Sequence, residues 1–337
     1  MMWTGWKAAV MAGTVALFIG SAALGGSEPA APSGQVATDA DKASNKEHLV
    51  VLTGRSGGVY AALGDAVSRI VTREIPGLTV SEEATQGSID NLNRLQHEQG
   101  DLAFALSDSL IQAWQGDRDA GFPENFYRIR VVATLHPNYL QLVATQASGI
   151  RSISDLRGKR VAIGMPNSGV ERNALDVLNA AGIYDESFAQ TVHLPFADAL
   201  DEMRKGKLDA VFQSTGLGVA PIEQLAHDVP VTLVPLTPDV VAKLGAPYQP
   251  SIIPAGTYPG QTTAVATAAI PNMLVARAGL SDDMVYALVG ALQKELPELA
   301  AAHPAAHGVT LEAALQAVPV PLHPGAERFY REHGLED

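Results

Sequence analysis

Gly54-Arg55-Ser56-Gly57-Gly58 satisfies the G-x-S-x-G pattern of a nucleophile elbow, and it lies between the apolar run His48 to Thr53 and an amphipathic stretch from Val59 to Ile70. Two chemistries suit a serine and three glycines at a strand-to-helix turn. One is an activated Ser56 nucleophile. The other is an anion held by backbone N–H groups at the positive end of the helix dipole, with no charged side chain required. The second gains weight because the unit recurs. Val80 leads into Thr85-Gln86-Gly87-Ser88 and a helical pattern from Ile89 to Gln99, and Val161-Ala162-Ile163 leads into Gly164-Met165-Pro166-Asn167-Ser168-Gly169 and another helix. A serine hydrolase needs strands ahead of its elbow to furnish the oxyanion hole, where an export signal and a linker are expected here, and none of the nine histidines has a recognisable catalytic context. Three loops of this kind around one cleft describe a receptor for a small carboxylate.

The candidate contacts follow from these loops. Arg55, Ser56, Gly57, Gly58, Val59 and Tyr60 form the first, where Arg55 pairs either with an anionic ligand or with one of the 36 acidic residues, and Tyr60 either closes the pocket or packs on its own lobe. Gln86, Gly87 and Ser88 repeat the geometry, with Ser88 also an ordinary helix cap. Ser107 and Asp108 follow an apolar strand; Asp108 is either a helix cap or a partner for a ligand amino group, which would favour an amino acid over a plain dicarboxylate. Asn167, Ser168, Gly169 and Val170 form a second anion site. Arg172 stands in the first turn of that helix, against the dipole, so it is incidental or held for an anion. Gln213 and Gly216 end a later strand, with a polar turn as their plain alternative, and Tyr258 in the turn Thr257 to Gly260 either gates the cleft or shapes a hinge. No metal or cofactor is expected: His97-Glu98 has Asp101 where a zinc-binding helix needs its second His, and His303 and His307 are separated by Pro304.

The elements that must position these loops are those of an exported α/β protein. The chain of 337 residues is 47% hydrophobic and 18% charged, which supports a large core, and its formal net charge of -13 disfavours nucleic acid and anionic lipid. Lys7 followed by the apolar stretch Ala8 to Leu24, with Ser21-Ala22-Ala23 as a cleavage site, predicts a signal peptide over 1–24, with an uncleaved anchor as the alternative. There is no cysteine for a lipid anchor or a disulfide. The Ala, Pro, Ser and Gly-rich segment 25–47 is a flexible linker.

Leu49 to Thr53, Val80 to Ala84, Leu102 to Leu106 and Ile129 to Leu135 read as strands alternating with helices, hence α/β with mainly parallel pairing. Asn91 to Gly100 followed by Asp101 and an apolar strand has the same layout as Ala199 to Gly206 followed by Lys207 to Ser214. Two similar lobes are expected, 48–140 plus 274–337 and 141–273, with Tyr139 to Thr145 and Met273 to Arg277 as hinge crossings. Ser281 caps a helix from Asp282 to Leu296, and further helices are expected over Glu312 to Ala317 and Ala326 to His333.

The ordered set of Thr53-Gly54-Arg55-Ser56-Gly57-Gly58-Val59-Tyr60, Glu83-Ala84-Thr85-Gln86-Gly87-Ser88 with Asn91-Leu92, Ser107-Asp108 and Ser154 to Val161 resembles the TAXI family. These are extracytoplasmic solute receptors of tripartite ATP-independent periplasmic (TRAP) transporters. Pro254 to Gln261 and Val320 to Ala326 match the same family. The resemblance implies a two-lobed periplasmic binding protein of type II, a Venus flytrap, without enzymatic activity. It also implies a TRAP-type membrane permease as partner and glutamate, glutamine or a related C4 to C5 dicarboxylate as ligand. A monomer in the periplasm is expected. A sensor subunit that binds the same ligand is the alternative. Two positions depart from the family pattern: Arg55 replaces a small residue, and Val170-Glu171 follows Ser168-Gly169, so that Arg172 comes one place late.

Overall fold

Apolar strands alternate with helices that carry one buried face, and the two stack into a layered α/β fold in the computed structural model, which describes residues 47–184 and 187–335. The expected signal peptide and the linker up to residue 46 lie outside the described residues. Glu47, expected at the linker's end, already opens the first strand. The order is β1 (Glu47–Leu52), α1 (Val59–Glu74), β2 (Leu78–Glu83), α2 (Ser88–Gln96), β3 (Leu102–Leu106), α3 (Ser107–Gln115) and β4 (Ile129–Thr145). Next come β5 (Arg160–Ala162), α4 (Gly169–Ala180), β6 (Gln190–Val192), α5 (Phe196–Arg204), β7 (Ala210–Thr215) and α6 (Ala220–Asp228). The chain continues with β8 (Val231–Val234), α7 (Pro238–Leu244), β9 (Gln249–Ile253) and β10 (Val265–Arg277), and ends with α8 (Asp282–Lys294), α9 (Leu296–Ala302) and α10 (Pro324–Glu332).

The strands form one sheet in the order β2-β1-β3-β10-β4-β7-β5-β6, with β8 on β4 and β9 on β10. The outer pairs are parallel, as expected. The centre is not: β10 runs antiparallel to β3, β4 and β9, and β4 antiparallel to β7 and β8. The expectation of mainly parallel pairing fails there because β4 and β10 cross the sheet in opposite directions and every strand beside them inherits the reversal. The expected strands Ile129 to Leu135 and Tyr139 to Thr145 are one continuous strand through Pro137. Pro137 pairs in register with Pro271, so the two residues without an N–H face each other and the ladder absorbs both at one irregularity.

Four buried clusters cover both faces of the sheet. Leu63, Ile70, Phe104 and Phe329 pack α1, α8 and α10 on one face of β1 and β3, while Leu52, Leu92, Phe122 and Met273 fill the other. Around β7, Leu142, Val177, Phe212 and Tyr248 lie on one face and Leu200, Met203, Val211 and Ile222 on the other. The sequence parallel between the two helix, aspartate and strand units has a structural counterpart. Asp101 Oδ2 accepts from Val50 N–H at 2.8 Å, and its Oδ1 pairs with Arg277 Nε at 2.6 Å. Asp209 Oδ2 accepts from Arg160 N–H at 2.8 Å, and its Oδ1 pairs with the same arginine's guanidinium at 2.7 Å. Each aspartate pins the start of its strand to a neighbouring one.

The loops after β1 and β2 are held by one buried amide. Asn91 Nδ2 donates to the carbonyls of Thr53 at 2.7 Å and Phe104 at 2.8 Å, and its Oδ1 accepts from the Thr85 hydroxyl at 2.6 Å. Thr85 Oγ1 in turn accepts from Gly87 N–H at 3.0 Å, at the entry to α2. Asn91→Ala strands these groups in the buried interior, and a buried group left unpaired costs about 1 to 3 kcal/mol. Chemical denaturation of Asn91→Ala should show a loss in that range. A loss below about 0.5 kcal/mol, the scatter of an ordinary surface substitution, would mean the amide does not anchor the loops.

Candidate functional site

The carboxyl ends of β1, β2 and β5 each feed a helix whose N-terminus opens onto one cavity of about 350 Å³. Its wall is built from Gly54 to Tyr60, Gln86 to Ser88, Gly164 with Met165, Ser168 to Val170, Leu194 to Ala197 and Val211 to Thr215, together with Leu106, Asn138 and Pro221. The starts of α1, α2 and α5 lack a side-chain cap; α4 is capped by Ser168, whose Oγ accepts from Glu171 N–H at 3.2 Å. First-turn N–H groups have no backbone partner inside their own helix, so four helix N-termini face this space, and α4 spends one of its N–H groups on Ser168. Gly87 at the start of α2 has φ 110°, a conformation that side-chain-bearing residues rarely adopt.

A chain of hydrogen bonds crosses the cavity floor. The Tyr60 hydroxyl donates to Asn272 Oδ1 at 2.5 Å, Asn272 Nδ2 donates to Asn138 Oδ1 at 2.9 Å, and Asn138 Nδ2 donates to the Ser214 carbonyl at 2.9 Å. This chain links α1, β10, β4 and β7. The Tyr60 ring stacks on Phe104 at 5.2 Å between centroids. Burial pushes the Tyr60 hydroxyl pKa up, so it stays a neutral donor. Arg55 stands exposed at the wall, donating to Gln86 Oε1 at 2.9 Å.

The structure brings Arg55, Ser56, Gly57, Gly58, Val59, Tyr60, Gln86, Gly87, Ser88, Ser168, Gly169, Val170 and Gln213 to one wall. Ser107, Asp108, Asn167, Arg172, Gly216 and Tyr258 do not line it. Ser107 is fully buried beneath Leu106. Asn167 turns away at φ 62° and donates its N–H to Glu171 Oε2 at 2.8 Å. Arg172 is ion-paired with Asp176. The Gly216 carbonyl accepts from Gln141 Nε2 at 2.9 Å, and the buried Tyr258 hydroxyl donates to Gln141 Oε1 at 2.5 Å. Tyr258 therefore supports the wall from behind. Sequence reasoning missed the start of α5, and it missed Asn138 and Asn272. The visible signals were Pro195 opening a helix and the dipeptide Pro-Asn repeated at 137–138 and 271–272 in the two crossing strands.

This is the α/β fold of the periplasmic binding proteins, two-lobed with two crossing strands. PhnD1 from Prochlorococcus marinus (MIT 9301), solved in complex with methylphosphonate, is 12% identical and superposes with a TM-score of 0.56 over 86% of this chain and 99% of that one. A structure described as a periplasmic transporter is 13% identical, with a TM-score of 0.53 over 78% of this chain and 88% of that one. The binding protein component of an ABC phosphonate transporter from Pseudomonas aeruginosa is 12% identical, with a TM-score of 0.50 over 77% of this chain and 79% of that one. At these identities the likeness is one of fold. By its sequence the chain belongs to the NMT1-like family, which it matches over residues 51–334.

Behind the cavity, Asp108 joins the start of α3 to α4. Its Oδ2 accepts from the Tyr248 hydroxyl at 2.8 Å and from Asn173 Nδ2, and its Oδ1 accepts from Ser109 N–H at 2.6 Å. Asp176 Oδ2 lies 3.0 Å from the same Tyr248 oxygen, which has one proton to donate. Burial raises the Asp108 pKa from 3.8 to about 6. A carboxyl with a folded pKa above its unfolded value holds its proton more tightly when folded, so stability falls as pH rises between the two values. Over that window the folded wild type should lose about 3 kcal/mol relative to Asp108→Asn, whose amide does not titrate. Urea denaturation of both proteins across about pH 4 to 7 measures the difference. Parallel pH profiles would show that Asp108 does not carry this penalty.

Proposed function

We propose that this protein is an extracytoplasmic solute receptor that closes on a small carboxylate and delivers it to a membrane permease of the TRAP type. The observation that carries the reading is the convergence of four helix N-termini, with Arg55 beside them, on a single cavity. The resemblance to the TAXI receptors supports the permease as partner, and with the signal-like N-terminal sequence it supports the periplasm as location. The lobes are 48–140 plus 274–337 and 141–273, and β4 and β10 are the hinge. Ligand binds first to the α1 and α2 loops, the second lobe then adds the starts of α4 and α5, and closure forms the surface the permease meets. The protein acts as a monomer without a cofactor.

Hydrolysis at Ser56 is the lesser reading, because a general base must come within hydrogen-bond reach of the nucleophile and no described histidine lines the cavity. The carboxylate reading is tested by thermal shift and calorimetry on a panel of small carboxylates, since a ligand selective for the folded state raises its apparent stability. Arg55→Ala should weaken the binding carboxylate by about tenfold to a hundredfold, the worth of one charge-assisted hydrogen bond. Arg172→Ala, which frees Asp176 behind the wall, should lower folding stability more than affinity. If no carboxylate raises the transition, or if the protein hydrolyses esters and loses that activity in Ser56→Ala, the receptor reading is wrong.

A further inference from the structure

The cavity walls are chemically unequal, and on the receptor reading this inequality narrows the ligand. On the α1 side the helix start has neither a side-chain cap nor an acidic residue in its first turn. Arg55 sits beside it with the Gln86 amide oxygen as partner, and among the described residues no carboxylate lies within ion-pair distance of it. Both features leave positive potential uncompensated at the start of α1, while at the neighbouring start of α2 Asp90 Oδ2 accepts from Gln86 N–H at 3.0 Å.

The opposite pole is already compensated. Ser168 Oγ accepts from Glu171 N–H and donates to the Met165 carbonyl at 2.7 Å, and Glu171 Oε2 accepts from Asn167 N–H, so α4 closes its own N-terminus and places a carboxylate there. The α5 start has Pro195, which brings no N–H, and Asp198 in its first turn. Arg172, the nearby cation on α4, is paired with Asp176 and lies off the wall. The surface between these helix starts is Met165, Leu194, Phe196 and Phe212.

We propose that the ligand is an organic monoanion. Its carboxylate head lies at the start of α1 against Arg55, and its uncharged, mainly apolar tail lies against Met165, Leu194, Phe196 and Phe212. A second carboxylate on that wall would lose its water and meet no cation among the described residues that line it. An ammonium group fares no better, because among the described residues no acidic side chain lines the cavity. Dicarboxylates and glutamate are thereby disfavoured within the carboxylate class.

The test is calorimetry on the full chain with 4-methylpentanoate and phenylacetate against succinate, glutamate and the uncharged 4-methylpentanamide. At least one of the two monoanions should bind about tenfold or more tighter than succinate and glutamate, and the amide about tenfold or more weaker than its acid. Phe196→Lys places a cation on the tail wall and should shift the ratio toward succinate by about tenfold; Met165→Lys serves if the first variant does not fold. Succinate or glutamate binding tighter than both monoanions overturns this inference and leaves the carboxylate receptor standing. Failure of every anion to bind at millimolar concentration removes both. An unchanged ratio in a folded lysine variant shows that the tail does not lie on this wall.

Discussion

The pairing of β4 with β10 is the constraint on which the rest of the molecule depends. These two long strands run antiparallel through the middle of the sheet, and strands on either side attach to one or the other. At their midpoint Pro137 faces Pro271, and the asparagines that follow, Asn138 and Asn272, are joined through their side-chain amides at 2.9 Å. Two prolines opposite each other remove ladder bonds at one level of the sheet, which makes that level the easiest place to bend. The asparagine side chains restore a bond there and extend it to Tyr60 on one side and to Ser214 on the other. The cavity floor and this interrupted level of the sheet are thus one set of residues.

Charge is used sparingly around this floor. The chain has a formal net charge of -13, yet among the described residues the cavity wall holds one charged side chain, Arg55, and it is a cation. On the receptor reading, attraction for an anion would come instead from backbone dipoles, which need no counter-ion of their own and do not have to be ordered when ligand arrives. The same device is switched off where a helix caps itself, as α4 does through Ser168 and Glu171. Residues of similar type at two helix starts therefore have opposite effects on the cavity, set by whether their side chains fold back on their own N–H groups.

Asp108 shows the cost of joining elements across such a site. Its carboxyl is buried with Tyr248, Asn173 and Ser109 as hydrogen-bond partners, and those bonds offset only part of the loss of water, so its pKa rises. The position after an apolar strand suggested a ligand contact. The structure uses it to tie α3 to α4, one layer behind the cavity, where Tyr248, Asn173 and Ser109 rather than a ligand amino group donate to the carboxyl.

What the sequence by itself determined is local. Glycines and hydroxyl residues between an apolar strand and an amphipathic helix define an anion-receptive turn wherever they occur, because the donors belong to the backbone and the turn positions them within a few residues. Gly54 to Tyr60, Gln86 to Ser88 and Ser168 to Val170 were legible for that reason, as was the repeated aspartate that pins β3 and β7. Only the tertiary structure decided which of these turns share a wall and which face of each is spent. Arg172 and Asp108 carry the right chemistry, but Asp176, Tyr248 and Asn173 lie in reach of them through the packing of α4 and the approach to β9, and a charge satisfied by a folded neighbour is lost to the ligand. The antiparallel centre of the sheet, the meeting of Asn138 with Asn272 and the apolar wall at the start of α5 were likewise settled by contacts between residues far apart in the chain, which local pattern does not encode.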